Sequence, residues 1–256
     1  MLLAGGKRHM EFKILGTLEV FHEGRSLAPT APKIRQLLAT LLARANRFVG
    51  VDALVDEIWG EAPPARVATT LQTYVHYLRK MLNAAAVPGT GLITGAQGYI
   101  LRVAEEKLDC GAFLRLADEA GRLLDAEDPG AAARVAHTAL GLWRGPFACG
   151  VNAGPILLAR AAHLEEVKMQ TLDVWIRAEI QLGRHRQIMP ELQSLVISYP
   201  LNERLHAHLI YALKHVGRRA EALDAFQHYR RVLDSTLGLK PSQELRELQR
   251  AVLIDC

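Results

Sequence analysis

The sequence predicts a mostly α-helical protein with a small antiparallel sheet near its start. Strand-like alternation of apolar and polar residues occurs only before residue 104, whereas helical periodicity fills the chain from residue 108 onward. With 256 residues, half of them hydrophobic, the chain can bury more than one ordinary core. We therefore expect two domains, residues 10–104 and residues 108–256, joined by the charged stretch at 105–107.

Residues 11–28 are expected to form short antiparallel strands. Phe12 and Ile14, and then Leu18 and Val20, alternate with polar neighbours, which is the period of a half-buried strand. Both Met1 and Met10 are candidates for the natural start of the chain.

Three helices are expected next. Pro32 suits the first position of the first helix, because the N–H that proline lacks would have no partner there. The second helix covers about residues 52–59 and the third about residues 65–82. The third helix has an inner apolar stripe at spacings of three and four. This stripe is made of Ala68, Leu71, Val75, Leu78 and Leu82.

A β-hairpin is expected after the third helix. Two β-like runs, residues 92–94 and 99–101, flank Gly95-Ala96-Gln97-Gly98, which predicts a four-residue loop. Strands, three helices and a hairpin in this order are typical of a winged helix-turn-helix, in which the hairpin is the wing.

The second domain is expected to be a tetratricopeptide-like α-helical repeat. From residue 108 onward, breaks rich in glycine and proline separate segments of helical periodicity. Leu182-Gly183-Arg184 recurs as Val216-Gly217-Arg218, a displacement of 34 residues. This displacement is the period of tetratricopeptide helix-turn-helix repeats.

Positive charge is concentrated in the first part of the chain. Residues 1–104 hold 12 Lys and Arg against 7 Asp and Glu, whereas residues 105–256 hold 19 against 20. Residues 62–104 contain four basic residues and no carboxylate. The phosphate backbone of a nucleic acid would meet no repulsion there.

The outward face of the third helix is polar, which makes it the candidate for reading DNA. Hydroxyl, amide and imidazole groups can donate to and accept from base edges in the major groove. The base-facing candidates are Thr69, Thr70, Gln72, Thr73, His76 and Tyr77. The candidates for phosphate contact are Arg66, Tyr74, Arg79 and Lys80 together with Gln97 in the hairpin. Two interpretations stay open, DNA contact or an ordinary solvated surface, and Tyr74 also lies at the border between this face and the core stripe.

Segments in both predicted domains resemble the Streptomyces antibiotic regulatory protein family. Its members pair an OmpR-type winged helix with a bacterial transcriptional activation domain. The resemblance covers about residues 11–253. In the first domain it rests on Ile14-Leu15-Gly16, Leu18-Glu19-Val20, Leu54-Val55-Asp56-Glu57-Ile58-Trp59-Gly60 and Thr70-Leu71-Gln72-Thr73-Tyr74-Val75. In the second domain it rests on Leu140-Gly141-Leu142-Trp143-Arg144-Gly145, Leu182-Gly183-Arg184-His185, Pro200-Leu201-Asn202-Glu203 and Ala220-Glu221-Ala222-Leu223.

The resemblance implies a transcriptional activator that is pathway-specific for secondary metabolism, such as antibiotic biosynthesis. It implies binding to direct repeats of double-stranded DNA at promoters, usually as a homodimer on DNA, and recruitment of RNA polymerase.

Other functional classes have little support in the sequence. No GxxxxGK[ST], HExxH or GxSxG motif occurs, so we expect no enzymatic activity, no metal and no cofactor. The apolar stretches fall short of the roughly 20 residues that a membrane-spanning helix needs. Three widely separated cysteines fit a reducing cytoplasm, where the protein is expected to associate with the nucleoid. Two alternatives stay open: a ligand-gated repressor or adaptor whose helical repeat senses a small molecule or peptide, and a scaffold that never contacts DNA.

Overall fold

The computed structural model of the chain describes residues 10–85 and 87–254. The choice between Met1 and Met10 as the start concerns residues 1–9, which lie outside the described residues. The chain divides into two compact units. Unit 1 contains the residues up to Glu119 and His137–Thr171, and unit 2 contains Ala120–Ala136 and the residues from Leu172 onward.

Unit 1 begins with the expected antiparallel sheet. Its strands are β1 (Met10–Lys13), β2 (Glu19–His22) and β3 (Arg25–Ser26), in the order β1-β2-β3. Phe12 pairs with Val20, and both side chains are buried. The alternating pattern therefore identified the inner side of this sheet correctly.

Three helices follow: α1 (Pro32–Ala43), α2 (Val51–Trp59) and α3 (Val67–Ala85). Pro32 occupies the start of α1, as the sequence predicted. The inner stripe of α3 is buried from Leu71 onward, but Ala68 is exposed, which corrects the prediction. The reason is that α3 begins at Val67, so Ala68 lies in its first turn, ahead of the part that packs on the core.

The loop of the wing is shorter than predicted. Its strands β5 (Gly91–Gly95) and β6 (Gly98–Arg102) stay paired as far as Gly95 opposite Gly98, so the loop has two residues rather than four. A further strand that the sequence did not reveal, β4 (Val49–Gly50), pairs with β6 and gives the order β4-β6-β5. A Cβ on Gly98 would overlap the carbonyl oxygen of Val49 and the ring of Phe48. Only glycine allows the strands to approach this closely.

Seven helices occupy the described residues after the wing. They are α4 (Asp109–Asp125), α5 (Pro129–Leu140), α6 (Pro155–Gln181), α7 (His185–Ser198), α8 (Glu203–His215), α9 (Arg219–Leu237) and α10 (Gln243–Ile254). A short 3-10 helix, Glu105–Lys107, lies at the predicted linker. The division into compact units falls at other positions, within α4, α5 and α6. The division into domains at residues 10–104 and 108–256 stays a prediction.

The 34-residue repeat is visible in the backbone of unit 2. Gly183 and Gly217 each end a helix with a positive φ, 71° and 79°. The N–H of Arg184 donates to the carbonyl of Glu179 at 3.0 Å, and 34 residues later the N–H of Arg218 donates to that of Leu213 at 2.9 Å. Both helix ends therefore satisfy their last carbonyls with the same backbone turn.

The N-terminus of α6 is capped by a side chain from α2. Glu57 is buried, and its carboxylate accepts the N–H groups of Gly154 at 2.9 Å, Ile156 at 2.6 Å and Leu157 at 3.4 Å. Pro155, between them, has no N–H to donate. One carboxylate thus satisfies all the donors of the first helical turn, and its negative charge is favourable at that end of the helix dipole.

Asp109, at the start of α4, makes a second long-range contact of this kind. Its carboxylate accepts the N–H groups of Ile14 and Leu15 at 2.8 and 2.9 Å, and Arg144 lies 3.4 Å away. Burial raises the pKa of Asp109, and the hydrogen bonds from Leu15, Ile14 and Arg144 oppose that rise. Arg144 also pairs with Glu19 at 2.9 Å. The first sheet is therefore held to α4 and to the segment around residue 144.

We expect Glu57→Ala to lower the free energy of unfolding by about 2–4 kcal/mol, because the N–H groups of Gly154, Ile156 and Leu157 lose their acceptor at a partly buried helix start. Urea unfolding of the full chain measures this. Glu61→Ala, at an exposed position just after α2, is the matched control and should change the stability by less than about 0.5 kcal/mol. Equal effects of the two substitutions would contradict the capping role of Glu57.

Candidate nucleic-acid interface

The outward face of α3 is polar and exposed along the length of the helix. Leu71, Val75, Leu78 and Leu82 seal the opposite side against the core of unit 1. The exposed residues on or beside the predicted face are Thr69, Gln72, Thr73, His76, Tyr77 and Lys80. Thr70 is half-buried. Five of the six predicted base-facing residues are therefore exposed, and the role of each side chain stays a prediction.

Two of the threonine hydroxyls are engaged within the helix. The hydroxyl of Thr70 donates to the carbonyl of Arg66 at 3.1 Å, and that of Thr73 donates to the carbonyl of Thr69 at 3.0 Å. Each hydroxyl oxygen can still accept a hydrogen bond. Gln72 offers both a donor and an acceptor on an exposed amide, which makes it the most versatile group on this face.

Tyr74 is a packing residue. Its ring is half-buried and stacks on Trp59 of α2, with ring centroids 5.9 Å apart and planes inclined by 19°. The ring of Tyr74 therefore joins α3 to α2, and the phosphate contact of its hydroxyl stays a prediction.

Arg79 attaches the wing to α3. Its Nε donates to the carbonyl of Leu92 at 3.2 Å, and its Nη2 donates to the hydroxyl of Thr94. Both partners lie on β5, and Arg79 is half-buried there. The neighbouring Lys80 is exposed. The sequence grouped these two basic residues, whereas the structure gives Arg79 a positioning contact within the protein.

The wing tip is also tied to the helices. Gln97 is exposed in the two-residue loop, and its carbonyl accepts the first N–H of α2, from Val51, at 2.9 Å. Phe48 lies against Gly95 and Gly98 and is 54% exposed. Sequence reasoning missed these contacts, and the paired glycines around the loop were the available signal.

Two histidines, His206 and His208, have hydrogen-bond partners within unit 2. His206 and His208 point in different directions, as their two-residue spacing predicted: His206 lies 3.1 Å from the carbonyl of Pro200, and His208 lies 2.8 Å from Asp173. Burial lowers the pKa of His206 despite its hydrogen bond to the carbonyl of Pro200.

Across residues 10–85 and 87–254, no group of three or more His, Cys, Asp or Glu is arranged to hold a metal ion. In that same part of the chain no helix combines the length and apolar character needed to cross a membrane.

Comparisons with known proteins account for both parts of the chain. Residues 25–101 match the family described as transcriptional regulatory protein, C terminal, and residues 108–253 match the bacterial transcriptional activator domain. The regulatory protein DnrI of Streptomyces peucetius is 37% identical over 95% of this chain and 92% of its own length. The transcriptional regulator RedD of Streptomyces coelicolor is 36% identical over 95% of this chain and 70% of its own length.

Longer proteins also match. The regulatory protein AfsR of Streptomyces coelicolor is 36% identical, and the chain spans 24% of its length. A solved structure of Mycobacterium tuberculosis EmbR in complex with a low-affinity phosphopeptide superposes with a TM-score of 0.91 at 31% identity. That match covers 96% of this chain and 65% of EmbR. The phosphopeptide belongs to EmbR.

We expect Arg79→Ala to loosen the wing without DNA present, because the substitution removes two hydrogen bonds between β5 and α3. Amide hydrogen exchange at residues 91–95 and 98–102 should become about fivefold faster, as a decrease of roughly 1 kcal/mol in local stability implies. Lys80→Ala, one residue away, is the control and should leave these rates unchanged. Arg79→Lys should not restore protection, since an ammonium cannot reproduce the two-pronged contact. Wild-type exchange rates in Arg79→Ala would show that the contact is dispensable.

Proposed function

The chain belongs to the Streptomyces antibiotic regulatory protein family of transcriptional activators, and on that basis we propose that it activates promoters by binding direct repeats of DNA through α3. The regulated genes are proposed to serve secondary metabolism. The protein acts without catalysis, in the cytoplasm at the nucleoid. One observation carries the proposal: α3 presents an exposed polar face while its opposite side closes the core.

Base recognition is assigned to the exposed face of α3. Gln72 can form paired hydrogen bonds with the N6 and N7 atoms of adenine, and threonine methyl groups can contact the methyl group of thymine. The threonines in question are Thr69, Thr70 and Thr73. His76 and Tyr77 extend the same face by one further turn of the helix.

Phosphate binding is assigned first to Arg66 and Lys80, because both are exposed at opposite ends of the polar face. Residues 62–104 hold no carboxylate that would repel the DNA backbone. Gln97 supplies a contact from the wing tip. Arg79 can contact a phosphate only through the guanidinium N–H groups that do not bind β5. Tyr74 can contact a phosphate through its hydroxyl while its ring remains stacked on Trp59.

Direct repeats require two protomers in a head-to-tail arrangement on the DNA. Protomers on the same face of the duplex have half-sites about 10–11 base pairs apart, which is one helical turn. The helical region beyond residue 108 is proposed to contact RNA polymerase. Selection of binding sites from a random duplex library tests the arrangement, because inverted half-sites would contradict it.

We expect Gln72→Ala combined with Thr73→Ala to weaken binding to the selected duplex by about 1–3 kcal/mol for each base that the variant no longer reads. Binding to a scrambled duplex should hardly change, since the phosphate-binding residues remain. Fluorescence anisotropy at fixed salt measures both affinities. Gln227→Ala, at an exposed position on α9 in unit 2, is the control. Unchanged affinity of the double variant for the selected duplex would remove the base-reading role from these residues.

We expect Lys80→Ala to weaken binding to the selected and scrambled duplexes alike. The slope of log K against log salt should become shallower by about 1, because the variant neutralises one phosphate fewer. Titrations at several salt concentrations give this slope. The control, Lys240→Ala, removes an exposed lysine of unit 2 and should leave the slope unchanged. Weaker binding confined to the selected duplex would argue for base contact by Lys80 instead.

A further inference from the structure

Unit 1 contains a cavity of about 690 Å³ that the proposed DNA contacts do not use. Its walls come from residues 42–47 at the end of α1, residues 103–115 around the start of α4, and residues 156–163 of α6. Among the described residues between 51 and 102, which include α2, α3 and the wing strands β5 and β6, none lines the cavity. The cavity is therefore separate from the candidate DNA-reading face.

The polar part of the lining is strongly cationic. Among the lining residues, four cationic arginine side chains and one histidine accompany a single carboxylate, that of Glu105. The basic residues are Arg44, Arg47, Arg115, Arg160 and His163. Arg115 has an exposed partner in Glu119, 3.4 Å away. A cavity with this surplus of positive charge favours an anionic occupant.

Arg160 is the unusual member of this set. It is half-buried, and its Nε is fully buried and has no hydrogen-bond partner in the part of the chain that the structure describes. A buried donor without an acceptor costs free energy, so such a group calls for a partner. The Arg160 side chain also hydrogen-bonds the Cys110 sulfur, which is a weak acceptor and does not supply a negative charge, because burial raises the pKa of the thiol to about 11.

The cavity wall at the end of α1 is held in shape. Asn46 has a positive φ of 65°, and its side-chain amide donates to the carbonyl of Val103 at 2.8 Å while its side-chain oxygen accepts the N–H of Val103 at 3.1 Å. This reciprocal pair fixes the turn at residues 44–47 against the chain that leads into α4. The arginines at the cavity mouth therefore sit on a preorganised segment, which reduces the cost of ordering on binding.

Much of the remaining lining is aliphatic, with Leu42, Val103, Leu108, Leu114 and Ile156 among its residues. Volumes of about 300–1,000 Å³ with apolar walls and a few convergent polar groups are typical of small-molecule sites. We infer that this cavity binds a small organic anion, whose carboxylate or phosphate pairs with Arg160 and whose apolar body rests on these side chains. Arg44 and Arg47 attract the anion at the mouth of the cavity.

The test uses three probes on the full chain: 1-naphthoate, its neutral counterpart 1-naphthamide, and inorganic phosphate. Calorimetry should show saturable binding of 1-naphthoate with a dissociation constant of about 1 mM or tighter, as suits a fragment of this size. 1-Naphthamide should bind at least about tenfold more weakly, because it lacks the charge that completes the bond to Arg160. Phosphate should compete with 1-naphthoate, since both anions need the same guanidinium.

Two variants and one control locate the binding. Arg160→Met keeps the aliphatic stem and should weaken 1-naphthoate binding about tenfold or more. Arg44→Gln combined with Arg47→Gln changes exposed residues and should weaken binding less, in the same direction, which provides a readout even if Arg160→Met does not fold. Arg231→Met, on α9 of unit 2, should bind 1-naphthoate like the wild type.

Several outcomes would overturn the inference. They are equal binding of 1-naphthoate and 1-naphthamide, wild-type affinity in both cavity variants, and no saturable binding of 1-naphthoate. Preferential binding of an acidic peptide such as hexaglutamate would also overturn it. Affinity of the same variants for the selected duplex is measured separately, so failure of the anion site and failure of the DNA-binding proposal remain distinguishable.

Discussion

The structure of unit 1 depends on two buried carboxylates that accept backbone N–H groups from distant parts of the chain. Glu57 of α2 accepts three of them at the start of α6, about 100 residues later in the sequence. Asp109 of α4 accepts those of Ile14 and Leu15. A buried carboxylate is tolerated only where such donors surround it. These contacts lie within one compact unit, which contains α1, α2 and α3 together with the first part of the activator domain.

Local periodicity was sufficient to place the first sheet, the first three helices and the wing, and to identify the rest of the chain as helical. The apolar spacings along α3, the proline at the start of α1 and the alternation in β1 and β2 each depend on neighbours a few residues away. Contacts with residues from distant parts of the chain leave no comparable pattern in the local sequence. Glu57 was nevertheless detectable, because it lies three residues after Leu54 and just before Ile58, both buried on the inner side of α2. A carboxylate on an apolar stripe requires donors, and Gly154-Pro155 marked a helix start that offered them.

In the candidate site, too, local spacing predicted some features, whereas contacts between distant residues could not be predicted. Arg79 and Lys80 look equivalent as adjacent basic residues, but one position along a helix rotates the side chain by about 100°. That rotation directs Arg79 to β5 and leaves Lys80 exposed. The polar face of α3 could be found from its spacing, whereas the attachment of the wing could not, because the hairpin begins well after the helix has ended.

The glycines of the wing limit where its chemistry can change. The ring of Phe48 closes the space beside Gly95 and Gly98, so side chains larger than hydrogen fit only at Ala96 and Gln97 between them. Substitutions at the wing tip are therefore confined to these two adjacent positions, both in natural paralogues and in a designed library. A smaller residue in place of Phe48 would open only Gly95 to substitution, because the backbone carbonyl of Val49 still blocks a side chain at Gly98.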